Sequence, residues 1–225
     1  MSKVLPASRG RYECAPEVTE ALRDLGADGW PLVEAEQVHG NEVAIVTPAT
    51  WAVPGGAVQL AGVDALLTDR PGVLLTLYVA DCLAIYLWHR GRPAVGLAHA
   101  GWRGLAAKVA GKFAQAALEA YGGGPEDLEV ILSPCIGPCC FEVGEQVAKA
   151  FDEAPGAVDR ARERPHVDLR RVALVQLEAL GVRPERVTVC QQCTRCEADR
   201  FASYRAQGED CGRNLALVGL TGNRR

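Results

Sequence analysis

The sequence predicts an α/β (α+β) protein, a mixed β-sheet sandwich covered by helices in a single domain over residues 1–225. Three observations lead there. Apolar runs of strand length are frequent along the chain. Several are apolar throughout rather than alternating, as strands covered on both faces are. Between them lie segments whose apolar residues recur at helical spacing, so strands and helices are interleaved around one core.

In chain order, Glu42 to Val46 is short, rich in β-branched residues and reads as a strand. Thr47 to Gly62 carries Pro48, Pro54, Gly55, Gly56 and Gly62 and reads as a loop. Asp64–Thr68, Val73–Val79, Leu83–Trp88 and Ala94–Ala98 follow as strands. Arg103–Tyr121 places Leu105, Val109, Phe113 and Ala117 on one stripe, which predicts a helix ending at Gly122-Gly123-Gly124-Pro125. Leu128–Leu132 is a strand, Glu142–Asp152 a helix, and Ala154–Pro165 a loop. Leu169–Leu180 is a helix with Asp168 as N-cap and Gly181 at its end. Val187–Cys190 and Asn214–Leu220 complete the strands.

Composition narrows the function. Lys and Arg total 24 against 28 Asp and Glu, a net charge of −4. An acidic chain has no footprint for nucleic acid. With 48% apolar residues it is neither disordered nor collagen-like. No apolar run opens the chain, and the longest, Val73 to Trp88, contains Asp81 and is shorter than the roughly 20 residues of a membrane span. These features predict a cytoplasmic protein without membrane contact, where the nine cysteines stay reduced. No phosphate-binding loop and no H-x-E…P-C-x-x-C deaminase signature occurs.

Two apolar runs, Leu83–Trp88 and Pro93–Ala98, flank the charged turn His89-Arg90-Gly91-Arg92. A hairpin centred on Arg90-Gly91 pairs His89 with Arg92 and Cys82 with His99. Opposed residues share a face at roughly 4.5–5.5 Å, a spacing that suits thiolate and imidazole ligands of one zinc. The same spacing also fits a core cysteine and a satisfied buried histidine. Pro93 lacks a ladder donor, so the register is open to slippage. His39, before another strand, is a natural third ligand, and two histidines with one cysteine leave zinc an open position. Gly101 and Gly104 permit close backbone approach. Arg103 fits either an anionic ligand or a solvated surface position.

These residues fall in long motifs. Gln37-Val38-His39-Gly40, Ala80-Asp81-Cys82, His99-Ala100-Gly101-Trp102-Arg103-Gly104 and Ser133-Pro134-Cys135-Ile136-Gly137-Pro138-Cys139-Cys140-Phe141-Glu142-Val143-Gly144 stand in this order, followed by Cys193-Thr194, Phe201-Ala202-Ser203-Tyr204-Arg205 and Gly212-Arg213-Asn214. From about Val33 to Leu220 the chain resembles the laccase-domain (YfiH-like) family, also called the polyphenol oxidase or peptidoglycan editing factor family. That resemblance implies a zinc-dependent purine nucleoside phosphorylase with adenosine deaminase side activity. It implies one catalytic zinc on His39, Cys82 and His99, and adenosine, inosine, methylthioadenosine and phosphate as substrates. The family usually begins with a longer glycine-rich segment that helps form the nucleoside pocket. Here only Ser8-Arg9-Gly10 is faintly like it, which bears on substrate choice.

Phosphorolysis requires a site that binds a dianion, supports positive charge on the sugar and protonates the departing purine. Arg103 is the candidate phosphate clamp, since a guanidinium pairs bidentately with phosphate. Cys135 is a candidate substrate contact, and Asp81, Glu142 and Cys135 are the residues considered for the general acid, a structural part being the expectation for each. Deamination would direct a metal-activated water to the purine C6.

The remaining cysteines pose a second question. Cys190-Gln191-Gln192-Cys193-Thr194-Arg195-Cys196 contains two overlapping C-x-x-C units, a pattern of zinc or iron–sulfur sites, yet no fourth cysteine follows before Cys211. Unpaired thiols are the expectation there, with a second metal left open. Cys14 and Cys211 carry no assigned role, and His89 and His166 are expected to face solvent. Copper is disfavoured because four histidines are too few for a multicopper centre. The competing readings are an amidase-like cysteine hydrolase using Cys82 and His99, with a role in cell-wall quality control, and a redox or metal-buffering protein. The oligomeric state is open.

Overall fold

A computed structural model describes residues 4–5, 20, 22–50 and 57–222. Ser8-Arg9-Gly10 and Cys14 lie outside the described residues. The strands are β1 (Val4–Leu5), β2 (Leu32–Ala35), β3 (Val43–Ile45), β4 (Ala57–Leu60), β5 (Ala65–Thr68), β6 (Leu74–Val79), β7 (Leu83–His89), β8 (Ala94–Ala100), β9 (Leu128–Leu132), β10 (Val158–Asp159), β11 (His166–Val167), β12 (Val187–Val189) and β13 (Arg213–Gly219). The helices bearing on the site are α1 (Trp102–Ala106), α2 (Val109–Tyr121), α3 (Glu145–Lys149), α4 (Leu169–Leu180) and α5 (Tyr204–Gln207).

Two mixed sheets carry the fold. One runs β1-β13-β6-β2-β4, the other β12-β9-β7-β8-β5-β3, and β10 and β11 form a small ribbon. The sheets pack face to face over Val33, Leu66, Leu75, Leu77, Ala84 and Leu97. On its other face the six-stranded sheet packs against α2 and α4 through Leu67, Ile85, Leu87, Phe113 and Leu177. Adjacent residues such as Leu66 and Leu67 therefore enter different cores. This is why β5 and β8 are buried at every position, and it agrees with the α/β sandwich predicted from those runs. Gly96 makes the contact between layers close, since a Cβ there would lie 2.5 Å from Leu67 Cδ2 and 2.6 Å from Phe113 Cζ.

The eight expected strands all form, within a residue or two at their ends. Four of the expected segments need correction. Arg103–Tyr121 is two helices, because Lys108 adopts a left-handed φ of 63° between α1 and α2. Tertiary partners take up the polar groups freed at this break. Asn41 Nδ2 donates to Ala107 O at 2.6 Å, and Gln176 Nε2 donates to Leu105 O at 2.7 Å while its Oε1 accepts from Ala110 N at 3.2 Å. Glu142–Asp152 shortens to α3, since Glu142 is held in an isolated bridge to His166 and Val143 N donates to Pro165 O. The expected Thr47–Gly62 and Ala154–Pro165 loops contain β4 and β10. Both strands are too short for a periodicity of their own; pairing with β2 and β11 makes them.

His89 and His166 are buried, contrary to the solvent-facing expectation. The hairpin loop is the four residues Arg90–Pro93, so His89 belongs to the ladder opposite Ala94. Its ring pairs with Gly122 O at 2.8 Å and accepts from Arg92 N at 3.1 Å. His166 lies in β11 with Nδ1 3.1 Å from Arg164 O. Among the described residues no helix is long and apolar enough to cross a membrane.

Candidate metal centre

The chain changes sheets between β6 and β7, and the corner is Ala80-Asp81-Cys82. Asp81 takes a φ of 80° there. Its carboxylate is fully engaged: Oδ1 accepts from Thr194 Oγ1 at 2.6 Å and Oδ2 from Arg205 N at 2.7 Å. Its carbonyl accepts from Ile136 N at 2.9 Å. The motifs at 193–194 and 201–205 thus converge on the residue that presents Cys82. Asn214 supports them by exchanging two 2.9 Å hydrogen bonds with the backbone of Ala202.

The hairpin register differs from the predicted one by two positions, with Ala84 opposite His99. Pro93 and the longer loop account for the offset. An even offset preserves the face, so Cys82 becomes a diagonal neighbour of His99 and remains within reach. His39 arrives from the loop after β2. Gln37 anchors that loop on the β6 backbone, donating from Nε2 to Tyr78 O at 2.8 Å and accepting from Tyr78 N at 2.9 Å.

His39, Cys82 and His99 bring one donor atom each within 4.8 Å of one another. The imidazoles meet edge to face with centroids 4.7 Å apart. His99 is buried, Cys82 half-buried and His39 exposed, so the group opens to solvent on one side. Gly101 forms the floor. A Cβ at that position would lie 3.0 Å from both Cys82 Sγ and His39 Cδ2, and one at Gly104 would lie 2.8 Å from Gly40 O. A soft thiolate, two imidazoles and an open side fit a transition metal with a vacant coordination position.

Asp64, just before β5, is a residue of the cluster that the sequence did not single out. Its buried carboxylate accepts from His39 N at 2.9 Å and Gly40 N at 2.7 Å, and pairs with His99 Nδ1 at 2.8 Å. Carboxylate pairing to Nδ1 leaves Nε2 of His99 as the ligand atom, the usual outer support of a metal-binding imidazole. An aspartate opening an otherwise apolar strand was the available signal.

Electrostatics in this cluster are mutual. Burial works against ionisation of Cys82, but hydrogen bonds and charge from His39 and His99 bring its thiol down to about 6. Burial lowers His99, and the bonds to Asp64 and Cys82 outweigh it and raise the imidazole to about 9. Burial of Asp64 is likewise outweighed by His99 and the Gly40 N–H, which hold its carboxyl below the usual range.

The other candidates occupy different surroundings. Arg103 is exposed on α1, its guanidinium 4.4 Å from the Trp102 ring centroid. Cys135 is fully buried, and burial pushes its thiol up to about 12. Glu142 is exposed and pairs with Arg164 at 3.2 Å.

Comparison with known proteins places the chain. It is 36% identical over 192 residues to the purine nucleoside phosphorylase YlmD of Geobacillus stearothermophilus, covering 82% of this chain and 70% of that protein. The crystal structure of YlmD from that organism superimposes with a TM-score of 0.84 at 32% identity, covering 98% of this chain and 88% of the other. Adenosine deaminase RL5, from an unknown prokaryotic organism, is 33% identical over 205 residues, covering 86% of this chain and 77% of that protein. A family model described as multi-copper polyphenol oxidoreductase laccase matches residues 13–221. The fold, the ordered motifs and these matches agree, and the chain belongs to this laccase-domain family.

Proposed function

We propose that this chain is a zinc-dependent purine nucleoside phosphorylase, with adenosine deaminase as a side activity. The substrates are adenosine, inosine and methylthioadenosine with phosphate, and the whole chain, residues 1–225, acts as one catalytic unit in the reducing cytoplasm. The observation that carries this reading is the His39, Cys82 and His99 cluster, oriented by Asp64 and open on one side. The relatives named as a purine nucleoside phosphorylase and an adenosine deaminase supply the reaction types.

Zinc at these three donors would supply a Lewis acid with a free position. The chain's own residues do the rest. Asp64 fixes the tautomer of His99 and the N–H groups that aim His39. Gly101 keeps the floor low enough for both ligands. Arg103, exposed on α1, is the residue we assign as the clamp for phosphate as it attacks the anomeric carbon. The bond from that carbon to the purine breaks, and the base takes up the proton that hydrogen phosphate gives up on becoming the sugar phosphate ester. Asp81 has both carboxylate oxygens occupied, which favours a positioning part for it. The enclosure of Cys135 favours a structural part over substrate contact.

Purified protein incubated with adenosine should release adenine only when phosphate is present. A chelator should stop the reaction and added zinc restore it. His99→Ala should lose both phosphorolysis and deamination; retained phosphorolysis would overturn the shared site.

One observation favours a second reading. Cys82, His99 and Asp64 stand in the order nucleophile, base and orienting carboxylate, with the thiol at about 6. Amide hydrolysis that survives complete zinc removal but not thiol alkylation would select a cysteine hydrolase.

A further inference from the structure

A second group of sulfurs lies outside the centre described above. Cys139, Cys140, Cys193 and Cys196 bring their Sγ atoms within 4.8 Å of one another. Cys190, which the overlapping C-x-x-C pattern included, is not part of it. Topology explains the substitution of partners. β9 and β12 are parallel neighbours, with Leu132 beside Val189, so both leave the same end of the sheet. Their continuations stay together through the bridge between Cys135 and Cys193. The motif after β9 therefore delivers Cys139 and Cys140 to the same place as Cys193 and Cys196 after β12.

We propose that these four cysteines bind one structural zinc ion as a tetrathiolate site. Zinc takes four thiolates at about 2.3 Å in a tetrahedron, whose edge is then about 3.8 Å. The Cys139–Cys196 and Cys140–Cys196 Sγ separations are 3.6 Å and 3.4 Å, close to that edge. A cluster of several irons would hold its thiolates further apart. The surroundings also suit thiolates. Gly137 N donates to Cys193 Sγ at 3.2 Å, and the Cys196 N–H also faces that sulfur. Such N–H···S bonds are the outer support that orients metal-binding thiolates. The Arg170 guanidinium is buried beside Gly137, where a Cβ would stand 3.0 Å from its Nη2 and 3.2 Å from Cys139 Sγ. Its Nε also pairs with Asp168 Oδ1 at 3.6 Å, so only part of this positive charge is left to face the thiolates.

The site would act as a staple. It ties the turn after β9 to the segment after β12, and Thr194, next to Cys193, grips Asp81. It thereby steadies the corner that presents Cys82 without touching substrate.

Metal content of the full-length protein, expressed with zinc and purified under anaerobic reducing conditions, tests the proposal. Wild type should carry two zinc ions per chain. Cys196→Ser and Cys139→Ser should each carry one, and His99→Ala should also retain one. Cobalt loaded into His99→Ala should give the intense visible absorption of tetrahedral sulfur coordination, a readout that survives even if the cysteine variants fail to fold. One zinc in wild type with none in His99→Ala overturns the proposal. So does iron with acid-labile sulfide, or a disulfide among the four residues in the native protein. Activity is not read, so failure of the phosphorylase proposal and failure of this one are separable.

Discussion

Asp64 holds His99 and the two backbone N–H groups at His39 and Gly40 with one buried carboxylate. Asp64→Asn preserves the shape and removes the charge. Metal affinity should fall about 10–100-fold, the usual cost of losing such a partner, measured by competition with a chromophoric chelator. An unchanged affinity would remove Asp64 from the centre. Proton linkage follows from the same contacts. In the metal-free chain, between the Cys82 value of about 6 and the His99 value of about 9, the pair is thiolate and imidazolium. A metal needs the thiolate and the neutral imidazole, so binding must displace the His99 proton. Zinc affinity should rise with pH across that interval, and calorimetry in buffers of different ionisation enthalpy should detect release of that proton. A pH-independent affinity would contradict this assignment. At this scale the candidate ligands His39, Cys82 and His99 were legible in the sequence through the ordered motifs that contain them, since the spacing of Cys82 and His99 alone fits a buried core pair equally well. Asp64 was not, since a lone acidic residue before a strand has many uses.

Among the elements, α4 was read correctly at both ends because its signals are local. Asp168 accepts from Arg170 N at 3.0 Å and Arg171 N at 3.4 Å, and Gly181 closes the helix with a φ of 97°. Asp168→Ala should destabilise the fold by about 1 kcal/mol, read from the midpoint of denaturant unfolding. No change would mean that the cap is replaced by other partners. The α1–α2 break was invisible in the same kind of pattern. Leu105 and Val109 keep helical spacing, yet Asn41 and Gln176, distant in sequence, accommodate the left-handed turn at Lys108. The hairpin shows how a register can be wrong and its consequence right. Moving the pairing by two positions exchanged opposed residues for diagonal ones but kept Cys82 and His99 on one face.

For the whole molecule, Phe113 joins the helical layer to the six-stranded sheet, fully buried over Gly96. Phe113→Ala should cost about 3–5 kcal/mol, measured by chemical denaturation, with a smaller loss indicating that Leu67 and its neighbours collapse into the space. The apolar runs by themselves determined a two-faced sheet and hence the layered α/β architecture, because a strand without a polar face must be covered on both sides. The hairpin spacing set Cys82 and His99 on one face, and it was the resemblance carried by the ordered motifs that added His39 to them. Tertiary structure alone decided the crossing between sheets at Asp81, the carboxylate behind His99, and the meeting of Cys139 and Cys140 with Cys193 and Cys196. Each joins segments far apart in the chain. Such contacts are set by strand order and register, which short-range patterns along a sequence do not contain.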